Sequence, residues 1–194
     1  MAYEMVQVDI FVGEGHKPAY LAKNPLGKVP FLEDGDAGIF ESGAIVAYLA
    51  DKYGVPRIAP ELASPRRAEY LQWMFFAPAT LDSPATRLVA NRYLFPSKDG
   101  AEERALQAQK EFAGPAKVLE RALAGRTLLV GEEFSAADIM VGSALVWADK
   151  ARGLNDYPAL KAYLERLAAR PAFQKVFAPT EREYTGHEGR AAAG

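Results

Sequence analysis

Two periodicities divide the chain. In Tyr3-Glu4-Met5-Val6-Gln7-Val8-Asp9-Ile10, the apolar Val6, Val8 and Ile10 recur at every second position. An extended backbone puts such residues on one side, so the segment predicts a strand with a buried face, interrupted at Gly13 and Gly15. Pro18 to about Lys23 predicts a short helix with proline in its first turn. Val29 to Glu33 and Ile39 to Glu41 predict two more strands, and Asp34-Gly35-Asp36 between them predicts a hairpin turn. Ile45, Tyr48, Leu49 and Lys52 then fall at helical spacing, with Gly54 as the C-terminal stop. The reading for residues 1–54 is therefore strand, helix, strand, strand, helix.

Beyond a proline-bounded stretch, Pro56 to Pro60, the period is helical throughout. A helix from about Pro65 to Ala77 carries Tyr70, Leu71, Trp73, Met74, Phe75 and Phe76, apolar on nearly every side and so buried or interfacial. Pro78 and Pro84 predict interruptions before a second run through Leu94. Ala101 to Ala124 predicts a long helix that Gly114-Pro115 kinks or splits. Pro158 and Pro171 each suit a helix's first turn. Phe134-Ser135-Ala136-Ala137-Asp138-Ile139 fits a capping box, with Asp138 reaching back to the Ser135 amide and Phe134 and Ile139 as the hydrophobic staple. Thr180 to Gly194 has little to bury and predicts disorder. There is no internal repeat. The organisation expected is an α/β half over 1–54, a linker over 55–63, an all-helical half over 64–178 and a tail over 179–194.

Composition narrows the chemistry. Among 194 residues, 23 Lys and Arg face 25 Asp and Glu, a formal net charge of −2 without a block of like charge. No electrostatic footprint for nucleic acid or anionic lipid is expected. The longest apolar runs fall short of a membrane span and the first residues do not read as a signal peptide, so the expected location is cytoplasmic. The chain has no cysteine, which excludes disulfides, Cys-based metal sites and a Cys nucleophile. With His16 and His187 as its two histidines, a His-based metal site or a Ser-His-Asp triad is not expected either.

The densest motif is Asn24-Pro25-Leu26-Gly27-Lys28-Val29-Pro30, with Glu41-Ser42 beginning eleven residues after Pro30. Together the two resemble the glutathione-binding site of the glutathione transferase family, and the resemblance extends over about residues 3 to 178. It implies an incomplete thioredoxin-like N-terminal half followed by the family's all-helical C-terminal domain, in which the Ser135–Asp138 box starts the core helix. It also implies a homodimer, glutathione as co-substrate, no metal, and a small-molecule electrophile as second substrate.

Glutathione has two carboxylates, an ammonium group and a thiol, so its binder needs polar sites at both ends and a backbone edge between them. A cis Val29-Pro30 bond would turn the Val29 backbone outward to pair with the cysteinyl part as a strand would. Taken alone, Val-Pro also reads as a trans proline at the first position of a strand. Glu41 suits the ammonium group, and Ser42 with the first free amides of its helix suits the α-carboxylate. Glu-Ser at a helix start is otherwise a plain cap. Lys28 suits the glycine carboxylate. His16 and Lys17 could assist it, although solvated side chains are the simpler reading of both.

The departure from the family pattern concerns the thiol. In the family, a first strand, loop and helix bring a Ser, Tyr or Cys to the glutathione sulfur, where it favours the thiolate. Met1-Ala2 precede the strand read here, and Tyr3 falls where the family's second strand begins, so no catalytic residue is assigned. The absent strand would lie between Tyr3–Ile10 and Val29–Glu33, which leaves Tyr3–Ile10 without its hydrogen-bonding neighbour and buried faces uncovered. Three readings follow. The chain is a transferase read from an internal start, a non-catalytic glutathione transferase-like binding or scaffold protein, or a truncated inactive gene product. Tyr70, Trp73, Phe76 and Trp147 are candidates for an electrophile pocket, with the helical core as their simpler place.

Overall fold

The computed structural model describes residues 2–10, 12–54, 57–90 and 100–177. Its sheet is a single hairpin, β1 (Phe31–Asp34) antiparallel to β2 (Ala37–Phe40), in the register Phe31–Phe40, Leu32–Ile39, Glu33–Gly38 and Asp34–Ala37. The turn is the two residues Gly35-Asp36, and Gly35 supplies the left-handed φ of 62° that such turns require. Helix α1 (Pro18–Leu21) precedes the hairpin and α2 (Ser42–Tyr53) follows it. Glu41, read as the end of a strand, lies outside β2 at the head of α2.

Asp34 ties α2 to the hairpin. Its Oδ2 accepts from Tyr48 Oη at 3.0 Å, Tyr53 Oη at 2.7 Å and Lys52 Nζ at 2.8 Å. The Lys52 hydrogen bond, followed by that of Tyr53, holds the Asp34 carboxyl below the usual aspartate range.

Tyr3–Ile10 departs from its expected strand. The segment belongs to no sheet, and Tyr3, Met5 and Val6 are 67%, 85% and 75% exposed. A strand gains its ladder and its buried face only from a neighbour, and β1 pairs with β2 alone.

After α2 every described element is helical: α3 (Arg67–Phe76), α4 (Asp82–Val89), α5 (Ala101–Leu123), α6 (Ala136–Lys150), α7 (Pro158–Ala168) and α8 (Pro171–Phe177). The core lies here, around Tyr70, Leu81, Leu119, Val141, Leu145, Leu160 and Tyr163. Helix α2 reaches it through Val46 and Ala47, which pack against this core, while Ile45 and Ala50 of the same helix are buried.

The prolines interrupt less than their sequence positions suggest. Pro78 enters a π-helical turn, Ala77–Leu81, whose wider spacing joins α3 to α4 without a break. Pro84 is buried three residues after that turn, in α4. Helix α5 runs through Pro115 unsplit, its face of Phe112, Ala116, Leu119 and Leu123 buried in the core. Leu94 and the tail from Ala178 onward lie outside the described residues.

Two carboxylates join distant segments. Glu120 of α5 accepts the Ala159 and Leu160 amides at 2.9 and 3.0 Å, satisfying the N-terminus of α7 from another helix. Asp138 is fully buried and makes the expected bond to the Ser135 amide at 2.8 Å. Its other oxygen accepts from the Leu129 amide at 3.1 Å and the Tyr163 hydroxyl at 2.8 Å. Burial, reinforced by the adjacent Asp138 carboxylate, holds the Tyr163 hydroxyl well above the usual phenol range.

Asp138→Ala, which strands the Ser135 and Leu129 amides and the Tyr163 hydroxyl, is expected to destabilise the protein by about 3 kcal/mol, and Tyr163→Phe by about 1–2 kcal/mol, in urea unfolding. Because the folded state keeps the Tyr163 proton longer than the unfolded state does, this contribution is complete below the ordinary phenol pKa. It declines as pH rises beyond about 10. Tyr163→Phe should flatten that alkaline limb; an unchanged limb would exclude Tyr163 as its source.

Candidate glutathione-binding site

The hairpin register assembles the site. Phe31 is opposite Phe40, so Pro30 and Glu41, each one residue beyond that pair, lie at the same open end of the hairpin. The Val29-Pro30 bond is cis, and Val29 is exposed. Glu41 has φ 73° and ψ 113°, a conformation that side-chain-bearing residues rarely adopt. The helix that begins beside it has no side-chain cap, and its first intrahelical bond is from the Ile45 amide to the Glu41 carbonyl at 3.0 Å. The Ser42, Gly43 and Ala44 amides therefore point out of the helix end, where the dipole favours an anion. Ser42 is exposed there.

Lys28 is set by two residues that the sequence reading did not single out. The carbonyl of Lys28 accepts from Tyr20 Oη at 2.7 Å and from Asn24 Nδ2 at 2.6 Å. Asn24 is 2% exposed, and its Oδ1 accepts the Leu26 amide at 3.1 Å while its carbonyl accepts the Gly27 amide at 2.9 Å. This is an Asx turn, and the signal for it was the Asn-Pro step at the head of the motif. The Lys28 side chain is left exposed.

His16 and Lys17 reach the same neighbourhood by backbone packing. A Cβ on Gly15 would collide with the Gly27 carbonyl oxygen, so glycine alone permits this approach of the 13–16 turn to the Asn24–Lys28 loop. Both side chains are exposed, and Lys17 is bonded to Glu14 Oε1 at 2.8 Å. That hydrogen bond lowers the Glu14 carboxyl.

Of the aromatic candidates for an electrophile pocket, Tyr70 and Trp73 are buried in the core, Phe76 is half-buried against Trp73, and Trp147 is 42% exposed rather than core.

Known proteins place the chain. Residues 1–57 match the model described as Glutathione S-transferase, N-terminal domain, and residues 101–166 that described as Glutathione S-transferase, C-terminal domain. Glutathione S-transferase 3 of Zea mays is 37% identical over 185 residues, covering 91% of this chain and 82% of its own length. Glutathione S-transferase GstB of Escherichia coli strain K12 is 31% identical over 187 residues, with coverages of 91% and 86%. Among solved structures, glutathione transferase F7 from Populus trichocarpa superposes with a TM-score of 0.81 at 28% identity, covering 91% of this chain and 86% of that one. Glutathione transferase URE2P6 from Phanerochaete chrysosporium, in complex with oxidized glutathione, gives 0.80 at 27% identity, with coverages of 91% and 83%. The chain belongs to the glutathione S-transferase family, with a thioredoxin-like N-terminal part and a helical C-terminal part.

Asn24→Ala removes both side-chain bonds that shape the Lys28 loop. It is expected to lower unfolding free energy by about 2 kcal/mol, read from denaturant midpoints, while Lys28→Ala leaves the midpoint within about 0.5 kcal/mol of the parent. Equal effects of the two would show that Asn24 does not organise the loop.

Proposed function

We propose that this chain is a cytoplasmic glutathione transferase that binds glutathione and conjugates it to small electrophiles. Val29 offers its backbone to the cysteinyl part, Glu41 accepts from the γ-glutamyl ammonium, and Ser42 with the open α2 amides receives the α-carboxylate. Lys28 meets the glycine carboxylate, with His16 and Lys17 at the margin, and Pro30 fixes the turn. In the reaction the glutathione sulfur bonds to the electrophilic carbon, the carbon's leaving group departs with its electron pair, and the thiol proton passes to solvent.

The observation that carries this reading is the strained Glu41 backbone at the head of an uncapped helix, opposite Pro30 in the hairpin register. Such strain costs about 1–3 kcal/mol and persists where the surroundings over-determine it, chiefly at functional sites. Glu41→Gly is therefore expected to keep or raise the unfolding free energy, by up to about 1 kcal/mol. The same change should weaken glutathione binding at least about ten-fold in calorimetry, through loss of a charge-assisted bond. Tight binding retained by Glu41→Gly would remove Glu41 from the site.

A second reading, a glutathione-binding protein without turnover, is favoured by the commitment of the Tyr20 hydroxyl to the Lys28 carbonyl. We assign no side chain to the sulfur, and one hydrogen bond to a developing anion contributes about 10²–10³ in rate. Retention on immobilised glutathione with no conjugation of an aryl halide supports this reading; conjugation at a rate comparable to active relatives supports the first.

The homodimer implied by the resemblance is proposed to form through the exposed side of α3. Trp73 is 4% exposed, whereas Leu71 and Phe75 of α3 are 40% and 68% exposed and offer an apolar contact. Sedimentation should give a dimer mass at micromolar concentration, and Phe75→Glu should give the monomer mass. A monomeric parent would refute the assignment.

A further inference from the structure

We infer that Pro78 and Met140, both in the helical half, are positioning residues for the α-carboxylate of the ligand. They act by setting the place of the α2 amides that receive it. The inference rests on the glutathione reading and names what holds one end of that site.

Gly43 lies between the two side chains. A Cβ on Gly43 would stand 3.8 Å from Met140 Cε and 3.9 Å from Pro78 Cγ, ordinary van der Waals distances on both sides. The first turn of α2 is thus seated against the helical half with room for about one methyl group. Gly43, Val46, Ala47 and Ala50 fall at i, i+3, i+4 and i+7, so they share one face of the helix. Val46 and Ala47 pack on the helical core, and Gly43 continues that face to the helix end. The contacts with Asp34 fall on Tyr48, Lys52 and Tyr53, in the C-terminal half of α2. At the other end, where the Ser42, Gly43 and Ala44 amides are open, Pro78 and Met140 abut the turn.

Both contacts are firmly based. Pro78 is the second residue of the π-helical turn Ala77–Leu81, whose end residues are 1% and 0% exposed. The core therefore fixes both ends of the turn, and the Pro78 ring between them is left at the surface beside Gly43. A proline ring has almost no side-chain freedom to lose, which makes the contact stiff. Met140 is buried and follows by two residues the Asp138 that binds Leu129, Ser135 and Tyr163.

Placement matters at this end of the site because a helix terminus attracts an anion only within its first turn, and hydrogen bonds weaken steeply when misaligned. A shift of that turn should therefore cost the α-carboxylate its partners. The Lys28 end, shaped by Asn24 and Tyr20 in a separate loop, should keep its own.

The test compares two ligands by calorimetry on the 194-residue protein. One is glutathione. The other carries γ-aminobutyryl in place of γ-glutamyl, which keeps the ammonium group and lacks the α-carboxylate. The parent should bind glutathione at least about ten-fold more tightly than the analogue. Pro78→Ala should weaken glutathione about five-fold and leave the analogue within about two-fold. Because the ring is exposed, the same change should lower the melting temperature by no more than about 4 °C. Met140→Leu keeps the volume in the core but shortens the chain that reaches Gly43, and it should show the same selective loss. An equal loss for both ligands would mark a structural role alone and overturn the proposal, as would unchanged glutathione affinity in both variants. A parent that binds the two ligands equally, or binds neither, would overturn the glutathione reading and the proposal with it.

Discussion

The pairing of Phe31 with Phe40 is the constraint on which the site depends. Two strands of four residues joined by a two-residue turn leave no freedom in their alignment, so the residues just outside the last pair are placed by the hairpin itself. On one side that is Pro30, with Val29 and the Asn24-clamped loop behind it. On the other it is Glu41, bent to a positive φ as the chain turns from β2 into α2. A slip of one residue would separate the two halves of the glutathione motif and turn the apolar faces of both strands outward.

So small a sheet cannot hold itself together, since an isolated hairpin is marginal in water. Its support comes from α2. The helix is tied to the turn at one end by Asp34 with Tyr48, Lys52 and Tyr53, and it packs Val46 and Ala47 against the helical half. The helical half owes its own order to α6, whose fully buried Asp138 binds the loop at Leu129, the helix start at Ser135 and the distant Tyr163 at once. Stability in this protein thus originates in the C-terminal helices and is transmitted through α2 to the hairpin. The exposed Tyr3–Gln7 segment lies outside that chain of contacts, with solvated apolar side chains and no backbone partner among the described residues.

Local chemistry was enough for much of this. Asn24-Pro25-Leu26-Gly27-Lys28 specified its own turn, Gly35 its hairpin, Gly54 the end of α2, and Ser135 with Asp138 the start of α6, because each of these signals acts within a few residues of itself. Pro158 and Pro171 marked helix starts for the same reason. Pro78, Pro84 and Pro115 misled, because the cost of a proline in a helix depends on whether its turn can widen, as at Ala77–Leu81, or is held by packing, as in α5.

What the sequence by itself determined was therefore the family and the sheet-then-helices order; the residues proposed to meet glutathione were also drawn from it. Only the tertiary structure decided that Trp73 is core while Phe75 is surface, since an all-round apolar helix gives no direction for burial. It also decided that Glu120 caps a helix 39 residues away and that Asp138 serves Tyr163 as well as Ser135. The alternation of Val6, Val8 and Ile10 specified a face but not a neighbour to cover it. Burial and strand pairing are relations between segments, and a segment's own pattern can state the need for a partner without supplying one.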